Sequence, residues 1–127
     1  AARVGTQQPM YSTSLGKAIL AFMPEDRISE IVAATEFVAK TPETIASPSE
    51  LYDDLEGIRE RGYAIDDEEN YAGLRCVAAP VKNDDTVLGA VSITGPSSRF
   101  TDDRLHGELS QSVRRAANVI ELNTKFS

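Results

Sequence analysis

A chain of 127 residues with 41% hydrophobic content has the size of one domain with one core. Its formal net charge of -7 argues against a direct grip on nucleic-acid phosphates, which needs clustered Lys and Arg. No apolar run approaches the roughly 20 residues of a membrane helix, and a single cysteine, Cys76, excludes an internal disulfide and a Cys-based zinc site.

The opening AARVGTQQP has neither the basic nor the apolar region of a secretion signal, so a cytoplasmic location is expected. It lacks an initiator Met and runs through extended, turn-rich sequence, as expected at the cut edge of a longer protein. Helical spacing begins near Ser14, where Leu15, Ile19 and Phe22 fall at i, i+4 and i+7. Pro24 suits a first helical turn, and Ile28, Ile31 and Val32 give a second apolar stripe ending near Thr35. Ser47-Pro48-Ser49-Glu50 combines a capping hydroxyl, an N1 proline and a Glu at N3. A third helix follows with Leu51, Leu55 and Ile58 on its buried face, and Gly62 stops it after Arg59 and Arg61.

The period then changes to that of strands: Tyr63 to Asp66, an acidic turn, Tyr71 to Val81, and Thr86 to Thr94. A three-residue loop of Asn83, Asp84 and Asp85 would set Cys76 opposite Ser92, Leu74 opposite Thr94 and Ala78 opposite Ala90. The other side of that hairpin, with Val77, Ala79 and Val81 against Val87, Val91 and Ile93, is the side that helices should cover. Gly95-Pro96 should end the strand. Thr101-Asp102-Asp103-Arg104 opens a closing helix with Leu105, Leu109, Val113, Ala116 and Ile120 on one face. The order of elements predicts an α+β domain, a central antiparallel sheet flanked by helices, with those helices packed on one sheet face.

On the opposite face Cys76, Ser92 and Thr94, beside Leu74, Ala78 and Ala90, form the mixture expected of a small-ligand pocket wall. The alternative is that these small residues simply underlie a close-packed helix. Of the acidic run Asp66-Asp67-Glu68-Glu69, most members should be a solvated turn. Asp66, ending a strand, could accept from a ligand hydroxyl or, with Cys76, help to hold a metal, although two ligands do not make a metal site. No His or Lys adjoins Cys76 in sequence to activate it, so it reads as pocket lining rather than as a nucleophile. Ser14-Leu15-Gly16-Lys17 fits the S-x-x-K pattern of penicillin-binding enzymes, but S-D-N and K-T-G are both missing. The backbone N–H groups around Ser14, Leu15 and Gly16 are a generic place for a ligand carboxylate; a plain capped helix is the simpler reading.

Taken together, Arg3-Val4-Gly5, the segment Ser12-Thr13-Ser14-Leu15-Gly16-Lys17-Ala18-Ile19-Leu20-Ala21, Ile58-Arg59-Glu60-Arg61-Gly62-Tyr63-Ala64-Ile65-Asp66, Arg75-Cys76-Val77-Ala78-Ala79-Pro80-Val81, and Ser92-Ile93-Thr94-Gly95-Pro96 resemble the IclR-type transcriptional regulators. Their order and spacing hold along essentially the whole chain. The resemblance implies a GAF-like effector-binding domain over residues 1–127, preceded in the intact protein by a winged helix-turn-helix that contacts operator DNA. It implies a small organic or aromatic acid bound between sheet and helices, with Ser14, Leu15, Asp66, Cys76, Ser92 and Thr94 carried over by motif; Gly16 and Leu74 are added from the reading of the residues. Where relatives place Gly-Ala before the G-K-A segment, this chain has Ser14-Leu15, and the larger Leu should narrow or re-aim the pocket. Part of the sheet or dimer surface would precede the chain's start, and relatives form homodimers or homotetramers. No catalytic activity, cofactor or membrane partner is expected. The competing readings are a dimerisation module whose sheet face is packed shut, and a small hydrolase using Ser14 with Lys17, or Cys76.

Overall fold

The computed structural model describes residues 10–126; Arg3-Val4-Gly5 and the extended start lie outside the described residues. Helix α1 (Ser14–Leu20) is capped by Thr13, whose side chain accepts from the Gly16 amide at 3.0 Å. Helix α2 (Glu25–Ala34) follows Pro24 without a side-chain cap, but Glu25 and Asp26 in its first turn suit the positive end of the dipole. Helix α3 (Pro48–Arg61) starts as its sequence predicts. Ser47 accepts from the Glu50 amide at 3.3 Å, Pro48 stands at N1, and Gly62 takes a left-handed φ of +90° past the last turn. Leu20, Ile28, Val32, Leu51, Leu55 and Ile58 of the three helices share a buried cluster with Ala64 and Ala78 of the sheet.

Three antiparallel strands lie in the order β1 (Ala64–Asp67), β2 (Leu74–Asn83) and β3 (Thr86–Pro96). Strand β2 starts at Leu74 rather than near Tyr71, because the chain between β1 and β2 turns tightly, with φ of +57° at Glu68 and +82° at Gly73. The Glu68 carboxylate accepts from the Gly73 amide at 2.7 Å and fastens that turn. Gly95 and Pro96 remain inside β3; β3 is an edge strand, where a residue without an N–H costs no ladder bond on its outer side.

The hairpin register differs from the expected one. Asn83 pairs with Thr86 across a two-residue loop, made possible by a φ of +56° at Asp84, a conformation that Asp tolerates better than most residues. The register then shifts between Val81 and Lys82, where Leu88 is the extra residue of a bulge, so that Cys76 faces Thr94, Ala78 faces Ser92, Pro80 faces Ala90 and Leu74 faces Pro96. The displacement is two residues, so everything beyond the bulge keeps its predicted face. Val87 does not: it pairs with Lys82 and leaves the aliphatic cluster of Val77, Ala79, Val81, Val91 and Ile93.

Helices cover both faces of the sheet, not one. The aliphatic face packs on the closing helix, and the small, polar face is partly covered by α1, which contacts all three strands. The closing helix begins with α4 (Asp102–Arg104), capped by Thr101, passes through a wider turn over Leu105–Leu109 in which Gly107 is non-helical, and continues as α5 (Ser110–Phe126). Leu105, Leu109, Val113 and Ala117 are buried, whereas Ile120 is 43% exposed. A strict four-residue row is inclined to the helix axis, so a helix seated along it crosses the sheet obliquely and turns Ile120 outward.

Candidate functional site

The register places a row of three side chains side by side on the small, polar face: Asp66 of β1 opposite Cys76 of β2, and Cys76 opposite Thr94 of β3. The next row is Ala64, Ala78 and Ser92. Ala78 belongs to the core beneath α1, with Ala90 packed against it, so the floor of the site begins at the first row. The start of α1 makes one wall and the turn after β1 the other. Together they enclose a cavity of about 560 Å³ lined by Thr13, Ser14, Leu15, Asp66, Asn70, Tyr71, Leu74, Cys76, Ser92 and Thr94.

Seven of the eight residues singled out from the sequence line this cavity; Gly16 does not. Its amide is already given to the Thr13 side chain, and a Cβ there would lie 2.5 Å from Met10 Cα and 2.8 Å from Thr13 Oγ1. Close approach of backbone, rather than a ligand, accounts for this glycine. Ser14 and Leu15 open the helix, where amides have no intrahelical acceptor. Thr13, Asn70 and Tyr71 were missed. Thr13 could have been found as the capping hydroxyl, whereas nothing local marks the path of the turn that brings in Asn70 and Tyr71.

The electrostatics of the cavity are lopsided. No Lys or Arg lines it, and Asp66 is 4% exposed. Burial pushes the Asp66 carboxyl up, against the lowering effects of the Glu69 N–H at 2.8 Å, the Lys17 charge and the Asn70 N–H. Burial likewise pushes the Cys76 thiol up, with Asp66 adding to the rise, while Thr94 Oγ1 at 2.9 Å opposes it. A thiol so placed is a poor nucleophile. Among the described residues no third His, Cys, Asp or Glu joins Asp66 and Cys76 in a group able to hold a metal ion.

Behind this wall lies a charge cluster that the sequence did not announce. Lys17, 1% exposed, donates from Nζ to Asp54 Oδ2 at 2.7 Å, to the Ile65 carbonyl at 2.6 Å and to both Glu69 carboxylate oxygens at 3.0 and 2.9 Å. Glu69 therefore departs from the solvated turn expected of its acidic run; the buried ammonium draws it inward. Even so, burial outweighs Lys17, and the Glu69 carboxyl is pushed up to about 7. With its ammonium fully engaged, Lys17 is not a base for Ser14, and the S-x-x-K reading loses its second half.

The fold and cavity define a small α+β domain with a mixed polar and apolar pocket between the sheet and the opening of its first helix. The family model described as Bacterial transcriptional regulator IclR C-terminal matches residues 1–122. The chain belongs to that family. It is 38% identical to the probable HTH-type transcriptional regulator ArcR of Halobacterium salinarum, over 92% of this chain and 45% of that protein; the chain thus spans less than half the length of this curated relative. The crystal structure of Thermotoga maritima IclR matches with a TM-score of 0.90 at 39% identity, covering 97% of this chain and 50% of that one. A double mutant of the Acinetobacter PobR inducer-binding domain, in complex with 3-hydroxybenzoic acid, shares the fold at a TM-score of 0.84 and 23% identity, over 94% of this chain and 69% of that one. The relatives are named as transcriptional regulators, not as enzymes.

Proposed function

We propose that this chain is the effector-binding domain of a longer regulator, and that a small organic acid occupies the cavity between the Asp66–Cys76–Thr94 row and the start of α1. The carrying observation is the cavity itself, which gathers seven of the residues singled out from the sequence, drawn from α1 and all three strands. With no Lys or Arg in the lining, an acid's carboxylate is met by dipoles, from the Ser14 and Leu15 amides and the Ser92 and Thr94 hydroxyls, rather than by an ion pair. Asp66 then accepts from a hydroxyl of the ligand or, when protonated, donates to it. The exposed rim of Leu15, Tyr71 and Leu74 favours an acid with an apolar body, such as a hydroxybenzoate, over a two-carbon or three-carbon acid, and it is Leu15 that narrows the entrance.

In the intact protein a winged helix-turn-helix precedes this domain and contacts operator DNA in the cytoplasm. Ligand binding changes how effector domains pair as dimers or tetramers and so alters operator affinity. The test is thermal unfolding of the chain against hydroxybenzoates, keto acids and sugar acids. A ligand at about one hundred times its dissociation constant adds roughly 2.7 kcal/mol, and that shift should vanish in Ser92→Ala and Asp66→Asn. A shift that survives both substitutions would place the ligand elsewhere.

A further inference from the structure

On the far side of the molecule a second cavity, of about 680 Å³, opens between the end of α3, β2 and α5. Its lining includes Arg59, Arg61, Lys82, Arg114 and Arg115 against only Glu60 and Glu121. Five of the chain's 13 basic residues thus meet in one concavity of a protein whose net charge is -7. None of the five forms an ion pair among the described residues. Glu121, one of those two carboxylates, accepts from the Lys82 amide at 2.7 Å.

These cations are held in place by groups that do not neutralise them. Arg61 and Arg114 both lie over the ring of Tyr63, their guanidinium carbons 5.2 and 6.0 Å from its centroid, and Lys82 Nζ lies 4.4 Å from the centroid of Phe22. Arg61 Nε donates to the Tyr63 carbonyl at 3.0 Å and Arg59 to the Ala21 carbonyl at 3.2 Å. Arg114 also passes beside Gly62 at the end of α3, where a Cβ would meet its Nε at 3.7 Å, an ordinary contact. Aromatic faces and neutral carbonyls orient a cation but leave its full charge to act on a third party. Like charges gathered without counterions repel, and an anion that relieves the repulsion binds with that energy added to its own contacts.

We infer that this cavity is a second ligand site, distinct from the effector cavity, which takes a small phosphoanion carrying at least two phosphoryl charges. Four of the five cations are Arg, whose planar forks match phosphate oxygens two at a time. The cavity is within the size range of small-molecule sites, which suits a compact anion. The same diphosphate chemistry is found in free pyrophosphate and in a nucleoside diphosphate.

Isothermal titration of the chain with pyrophosphate, ADP, citrate and orthophosphate tests this directly. Pyrophosphate should bind saturably at one per chain and more tightly than orthophosphate, with affinity falling as salt is raised. Arg114→Gln and Arg115→Gln, both on the exposed face of α5 where folding is not at stake, should each weaken it roughly tenfold, and together more. Asp66→Asn should leave it unchanged, which separates this site from the effector cavity whether or not that reading holds. ADP binding better than pyrophosphate would name a nucleotide. Equal binding of citrate, no saturation, indifference to both Arg substitutions, or saturation only when a second chain or an acidic peptide is bound would each overturn the proposal.

Discussion

Replacing Lys17 with Met removes the ammonium at the centre of the buried charge cluster and keeps most of its volume. Three acceptors then lose their donor: Asp54, the Ile65 carbonyl and Glu69, whose side chain is 8% exposed. Taking one partner from a buried ion pair costs about 3–5 kcal/mol, because the other is left charged and dry. In a chain of this length that lowers the midpoint of thermal unfolding by roughly 10–20 °C. The cost depends on pH with a definite sign. Glu69 is raised from 4.5 to about 7 in the folded protein even with Lys17 present, and losing Lys17 raises it further. A carboxyl that takes its proton more readily when folded contributes stability fully below pH 4.5 and loses it as pH rises towards and through the folded value. Lys17→Met should therefore be most destabilising at pH 8 and much less so at pH 5.5, and adding Glu69→Gln should recover part of the loss at pH 8. Melting curves monitored by circular dichroism at the two pH values read this out. A single variant within about 1 kcal/mol of the parent at pH 8, or a double variant less stable than the single, would refute the reasoning.

Glu69→Gln alone should flatten the parent's loss of stability between pH 4.5 and about 7, measured as the slope of unfolding free energy against pH. Gly16→Ala should cost about 1–3 kcal/mol by overpacking, since its Cβ would press on Met10 Cα at 2.5 Å; chemical denaturation measures it, and an unchanged midpoint would contradict the close approach. Leu55→Ala, at a fully buried position, should cost about 2–5 kcal/mol in the same assay. Cys76 should alkylate more slowly than a free thiol at pH 7.5, because its pKa is raised by burial, and an effector in the cavity should slow it again.

What the sequence carried legibly was local. Helix α3 could be read end to end because Ser47, Pro48, Glu50 and Gly62 each act on their own turn. The pocket face of the hairpin could be read because alternation fixes a residue's side without fixing its partner: Cys76, Ser92 and Thr94 survived a two-residue error in register. That error came from Asp84 and from the bulge at Leu88, whose backbone angles no pattern of hydrophobicity encodes. The cover of α1 over the polar face, the inward turn of Glu69 and the wall supplied by Asn70 and Tyr71 depend on how distant segments meet. Lys17 shows the difficulty most plainly: in sequence it is an ordinary basic residue in the last turn of a short helix, and only the folded chain surrounds it with acceptors.

The Lys17 cluster also bears on how a ligand's arrival could be transmitted. One ammonium fastens α1 to α3 through Asp54, to β1 through the Ile65 carbonyl and to the following turn through Glu69. Sliding α1 across the sheet would pull those bonds apart at a cost of about 3–5 kcal/mol, whereas an effector typically has about 1–3 kcal/mol of coupling to spend. The cavity between the Asp66–Cys76–Thr94 row and α1 is thus walled by parts joined at Lys17, which favours their moving as one body. Tilting that body against α5 instead crosses a mostly apolar seam, where the contacts at stake are the Lys82 amide on the Glu121 carboxylate and Arg114 over the Tyr63 ring.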